Sequence, residues 1–192
     1  MPPTTRSALQ SPGLVLGEIR LLTYQLDAMV TWWSLFLDAA PVGRGTRTSV
    51  FASEDGRLRL VLASAAIAGA REEEMVGIES VAFVARDGAH LAAEYDRLAL
   101  HGIEPEIADT DGLVASFRYR DPDRNSVAVQ VVVDGAAVDL QRWLAGEPLA
   151  REPLATEIDP EALAGMLRRA ISADDVWRTA PCSNPHFVKL ED

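Results

Sequence analysis

The sequence predicts an α+β fold: two βαβββ modules forming one curved mixed sheet, with extra helices at the C-terminal end. Three observations carry that expectation. Short strands with period-two alternation recur, the order strand, helix, strands occurs twice, and one strongly marked hairpin closes the second round. The hairpin is Ser116 to Val131, SFRYRDPDRNSVAVQV. Pro122 fixes φ after Asp121, and the Asp and Asn side chains beside it can bond nearby backbone, so residues 121–125 predict a tight turn.

Taken in order, residues 1–13 (MPPTTRSALQSPG) lack an apolar signal core and predict a disordered tail. The first module spans 14–64. Glu18 to Tyr24 reads as its first strand, with Ile19 and Leu21 on one face and Glu18, Arg20 and Leu22 on the other. Asp27 is the expected N-cap of a helix to about Asp38, with Met29, Val30, Trp33, Phe36 and Leu37 at helical spacing. Trp32 and Trp33 read as helix packing. Strands near Thr46–Ala52 and Leu58–Ala63 follow, joined by a turn through Glu54-Asp55-Gly56.

The small and charged residues Ala65 to Glu74 form the expected boundary, and the second module spans 75–134. Glu79 to Ala85 is a strand, and a helix from about Gly88 to His101 is capped by Asp87 and ended by Gly102. Strand signals near Glu106 are weak, and the hairpin follows. Residues 135–192 form a helical extension and tail. One helix is expected over Val138–Ala145, and another opens at Asp159 with Pro160 in the first helical position and Glu161 favouring the dipole.

Composition narrows the function classes. Of 192 residues, 48% are hydrophobic and 24% charged, which is ordinary globular usage. A net charge of −11 with no basic stripe argues against nucleic acid and anionic membrane surfaces as partners. Cys182 is the only cysteine, so no internal disulfide or cysteine-based zinc site can form, and a reducing cytoplasm is the expected location. No apolar run is long enough to span a bilayer.

The element order, together with LGEIRLL…LDAMVTWW, VGIESVAFVA, the DPDRN hairpin and EIDPEALAGMLRR, resembles the vicinal oxygen chelate superfamily. The chain is most similar there to small two-module proteins related to extradiol ring-cleaving dioxygenases, and the resemblance covers roughly Leu14 to Arg169. In those dioxygenases two histidines and a glutamate hold iron. The resemblance places the three ligands at Glu18, Ser80 and Ala128, the acid-base histidine at or near Asp111, the hairpin tyrosine at Arg118 and the turn glycine at Arg124. A facial two-histidine, one-carboxylate site leaves open positions on Fe(II). Ala128 has no donor and serine is a poor iron ligand, so no metal and no cofactor are expected. His90 and His101 fall on or at the end of a helix and His186 in the tail, where they read as surface residues.

Alternation puts Glu18 and Arg20, Ser80 and Ala82, Ser116 and Arg118, and Ala128 and Gln130 on one side of their strands. The resemblance makes that side concave. Glu18, Asp111 and Arg118 are therefore the expected catalytic residues, with Arg20, Ser80, Ser116, Ala128 and Gln130 contacting substrate. Buried charges need partners, so Glu18 or Asp111 is expected to pair with Arg118 or Arg20. An acid or base and an arginine facing a developing oxyanion suit a cofactor-free cyclase, isomerase or lyase for an oxygenated aromatic or polyketide-like natural product. Two alternatives stand beside it: a non-catalytic small-molecule binding or resistance protein, and a metal-dependent extradiol-type dioxygenase. Aromatics are 6% of residues, few of them expected in the cup, which tilts the reading from binder towards enzyme. The resemblance admits modules closed within one chain or paired across a homodimer.

Overall fold

The structure is a computed structural model, and it describes residues 16–65, 78–110, 114–132 and 155–169. The expected helix over 138–145, the N-terminal tail, the inter-module connector, Asp111 and the tail from Pro181 lie outside the described residues. The chain divides into two compact units, Met1–Ala70 and Arg71–Asp192.

In the first unit, β1 (Glu18–Thr23), α1 (Leu26–Phe36), β2 (Gly43–Arg44), β3 (Thr48–Ala52) and β4 (Arg59–Ser64) form a βαβββ module. The sheet order is β1-β4-β3-β2, with β1 parallel to β4 and the other pairs antiparallel. Helix α1 packs on β3 and β4. Met29, Val30, Trp33 and Phe36 recur along one face of α1 and are buried, as are Phe51, Leu60 and Leu62 below. Trp33 is fully buried and meets Trp32 and Phe36 edge-on, with centroids 5.2 and 5.5 Å away, so the tryptophans do pack the helix.

One expectation fails here. Asp27 is not the N-cap: the helix starts at Leu26, Gln25 precedes it, and no side chain caps it. Buried Thr23 supplies local order instead, its hydroxyl accepting from Gln25 N at 2.9 Å. Asp27 sits in the first turn, where a negative charge favours the dipole, and accepts from Arg44 at 2.6 Å. The Glu54-Asp55-Gly56 turn forms, with Gly56 at φ +68° and Asp55 accepting from Ser53 Oγ and Arg57 N. Those two bonds, Ser53 first, hold the Asp55 carboxyl below its ordinary pKa.

The second unit repeats the pattern and adds to it. Here β5 (Ser80–Val84), α2 (Gly88–Leu100), β6 (Ile107–Thr110), β7 (Val114–Arg120) and β8 (Ser126–Val132) are followed by β9 (Thr156–Ile158) and α3 (Pro160–Arg169). The order is β5-β8-β7-β6-β9, with β5 parallel to β8. The α+β class holds. The hydrogen bonding, however, is split into two sheets, one per module, where the sequence predicts a single one.

Both helix starts follow the sequence. Asp87 accepts from His90 N at 2.7 Å, and Asp159 accepts from Ala162 N at 2.8 Å. Helix α3 packs against α2 and β6. Leu91, Ala92, Leu98, Leu163, Ala164 and Leu167 are buried, each large side chain contributing on the order of 2 kcal/mol. A Cβ on Gly88 would meet Leu167 at 3.2 Å, so glycine permits the close approach of the two helices. Tyr95 stacks on Phe117 at 4.8 Å and donates to Glu161 at 3.2 Å. Arg168 bridges Glu161 and Asp96, fastening α3 to α2.

The hairpin turn rests on Asp121, which is 3% exposed. Its Oδ1 accepts from Asp123 N and Asn125 N, and its Oδ2 from Asn125 Nδ2, at 2.7–3.0 Å. Arg124 then adopts φ +64°, the left-handed region that favours glycine. Arg124→Gly is expected to raise stability by about 0.5–1 kcal/mol, read as a higher urea midpoint at unchanged slope. A lower midpoint would show that contacts of the Arg124 side chain outweigh the backbone strain.

Candidate functional site

The ladder register decides which side chains share the face of the second sheet away from its helices. Three rows cross it. Ser80, Ser126 and Arg120 form one, and Ala82, Ala128, Arg118 and Ile107 the next. The third is Val84, Gln130, Ser116, Asp109 and Glu157. The alternate residues Val127, Val129, Ala115, Phe117, Tyr119 and Ala108 are buried in the core. Five of the expected site residues, Ser80, Ser116, Arg118, Ala128 and Gln130, therefore share one face, as the alternation predicts.

A polar cluster occupies the middle of that face. Arg118 Nε donates to Asp109 Oδ2 at 2.7 Å, and the Ser116 hydroxyl donates to Asp109 Oδ1. Asp109 is 7% exposed and Ser116 3%, whereas the Arg118 side chain keeps 31%. Burying a carboxylate is tolerable because both of its oxygens accept, one of them from a cation. Since Arg118 is held through Nε, its two terminal nitrogens donate to no group among the described residues. Directly opposite Arg118 on β8 is Ala128. At one end of the face Arg120 donates to Glu106 at 2.8 Å and to the carbonyl of Arg124.

The first unit carries a separate cluster. Glu18 Oε1 accepts from Arg20 at 3.0 Å, and its Oε2 lies 3.2 Å from Arg59 Nη2, the neighbouring position on the parallel strand. The side chains of Arg20 and Arg59 are 54% and 56% exposed, so solvent screens these pairs. The expected pairing holds for Glu18, which pairs with Arg20 and additionally with Arg59, and is corrected for Arg118, which pairs with Asp109.

Residues 15–129 match the family model described as the Glyoxalase/Bleomycin resistance protein/Dioxygenase superfamily. The chain belongs to that superfamily. It is 27% identical over 162 residues to biphenyl-2,3-diol 1,2-dioxygenase 2 of Rhodococcus globerulus, covering 83% of this chain and 85% of the relative. Dioxygenase 3 of the same organism is 26% identical, with 86% and 88% covered. A glyoxalase/bleomycin resistance protein/dioxygenase from Nocardioides superposes with TM-score 0.53 at 19% identity, over 64% of this chain and 85% of that one. Lactoylglutathione lyase from Agrobacterium tumefaciens gives TM-score 0.50 at 24% identity, over 62% and 94%. These two structures support the fold alone.

The superfamily's dioxygenases imply a metal ion, and the positions the resemblance assigns to its ligands do not fit one. Ala128 offers no donor atom and is 3% exposed, between Ala82 and Arg118 in its row. Ser80 offers a neutral hydroxyl, and both Glu18 oxygens already face guanidinium groups. A site that holds Fe(II) needs imidazole and carboxylate donors at these places. His90 and His101 are no substitutes at these positions. His90 lies on α2, accepting from Arg86 N and 3.6 Å from Glu94, and His101 is exposed at the end of that helix.

Asp109 and Arg59 are the residues that sequence reasoning missed. Asp109 lies in a four-residue strand, too short for alternation to declare itself. The signal was the Asp-Thr-Asp-Gly run at 109–112, a hairpin-type turn sequence that sets Asp109 against Ser116, two residues from Arg118.

Proposed function

We propose that this superfamily member handles a small oxygenated molecule of aromatic or polyketide-like type without a metal ion, using the Arg118 face of its second module. The observation that carries the reading is the guanidinium of Arg118, held at Nε by buried Asp109 and facing Ala128. A fixed cation stands beside the position that the resemblance gives to the metal-binding glutamate. Its open donors suit a carbonyl, phenol or enol oxygen, and it discriminates against cations. The relatives named for biphenyl-2,3-diol support an oxygenated aromatic ligand.

The reading extends to catalysis of cyclase, isomerase or lyase type in natural-product biosynthesis. In the second module Arg118 stabilises a developing oxyanion, with Asp111 as the proton carrier; in the first, Glu18 is the candidate acid or base. Ser80, Ser116, Ala128 and Gln130 border the ligand in the second module, and Arg20 orders Glu18 in the first. A cytoplasmic location and a homodimer belong to the same proposal. Among the described residues, no helix is long and apolar enough to cross a membrane.

Sequestration without turnover is the second reading, and one observation favours it: both oxygens of Glu18 are engaged by arginines. Screening chelator-treated protein against oxygenated aromatic compounds, for binding and for product, separates the two. Glu18→Gln is expected to lower turnover by roughly two to four orders of magnitude while affinity changes little. Weakened affinity with no product from any compound establishes the binder. A screen in which only cationic compounds register contradicts both.

A further inference from the structure

Asp109 does more than satisfy an arginine. It contacts Arg118 through Nε alone, so among the described residues the terminal fork is left open and the charge of the guanidinium is matched one for one by a carboxylate that is 7% exposed. Ser116 fixes the other carboxylate oxygen, so the acid cannot swing away from the pair without losing that bond. The nearest further carboxylate in the same row is Glu157, next to Asp109 on β9, which adds negative charge to that side. Arg120, the other guanidinium on this face of β7, is itself paired with Glu106. The cluster therefore presents hydrogen-bond donors without net positive charge.

We infer that Asp109 is the specificity-determining residue of this face: it positions Arg118 and cancels its charge, so that the site takes a neutral carbonyl or amide-like oxygen in preference to a carboxylate. The inference rests on the reading of Arg118 as the ligand-handling residue, and it narrows that reading from oxygenated ligands that are not cations to neutral ones. Two nearby carboxylates sharing one guanidinium carry a net negative charge, which repels at short range in a partly desolvated place. A neutral oxygen accepts from the same fork without that penalty.

Asp109→Asn tests this with little change in shape. The Asn amide can turn its oxygen to Arg118 Nε and its nitrogen to Ser116, because a serine hydroxyl accepts as well as donates. Benzamide and benzoate serve as probes, nearly identical in shape and different in charge. Calorimetric or NMR titration of the full chain is expected to show benzamide binding more tightly than benzoate. In Asp109→Asn the preference should reverse, with the affinity ratio moving at least tenfold towards benzoate. A gain of benzoate affinity cannot come from misfolding. Arg118→Met should abolish the reversal when combined with Asp109→Asn.

The failures are distinguishable. If both probes depend on Arg118 but their ratio is the same in Asp109→Asn, the role of Asp109 is wrong and the Arg118 reading stands. A wild-type preference for benzoate overturns the role of Asp109 as well. If Arg118→Met leaves both affinities unchanged, or neither probe binds the wild-type protein, the Arg118 reading falls and this inference with it.

Discussion

Arg118→Met is expected to lower turnover of the true substrate by roughly two to three orders of magnitude, the usual worth of one oxyanion donor, about 3 kcal/mol in the transition state. Methionine keeps much of the unbranched stem and its packing but removes all five N–H donors. The effect should fall mainly on kcat if the contact strengthens as charge develops, and on affinity alone if the protein only sequesters its ligand. Asp109 must be considered too, since the substitution leaves a buried carboxylate with only Ser116 as partner among the described residues. Arg118→Met with Asp109→Asn removes that difficulty. Wild-type turnover in the double variant would place the chemistry elsewhere on the chain.

The largest stability effect is expected at Phe117, on the opposite side of the same strand. Its side chain is fully buried and stacks on Tyr95. Phe117→Ala should cost roughly 3–5 kcal/mol, the sum of lost transfer energy and the cavity left behind. Stabilities of natural domains run to about 5–15 kcal/mol, so the substitution removes a large share of what holds the protein folded. Urea denaturation gives the value, and a loss under about 1 kcal/mol would show that this core collapses around the gap. Because residues 116 and 118 face the other way, the change also separates folding effects from ligand effects.

How much was legible depended on the length of each signal. Seven-residue β7 and β8 alternate cleanly around a turn whose Asp and Asn chemistry is specific, so their faces and register could be read. The starts of α2 and α3 were equally plain, because each has an Asp whose carboxylate accepts from the third backbone N–H beyond it. The two-residue β2 and three-residue β9 lack room for a period, and both are held by ladders to strands elsewhere in the chain. Asp27 misled because an acid near a helix start is favourable in the first turn as well as at the cap. Arg59 finds its partner through strand pairing, which local sequence does not display, and for Asp109 the short Asp-Thr-Asp-Gly run is the one local sign of its pairing.

Metal content with function before and after chelation is the most direct measurement of all, since metal-free use of Arg118 is the central claim. Purified protein, assayed for iron, manganese and zinc, is expected to carry far less than one ion per chain. Its ligand binding or turnover should be unchanged after a chelator is added and removed. About one metal ion per chain, with function lost on chelation and restored by that ion, would contradict the claim.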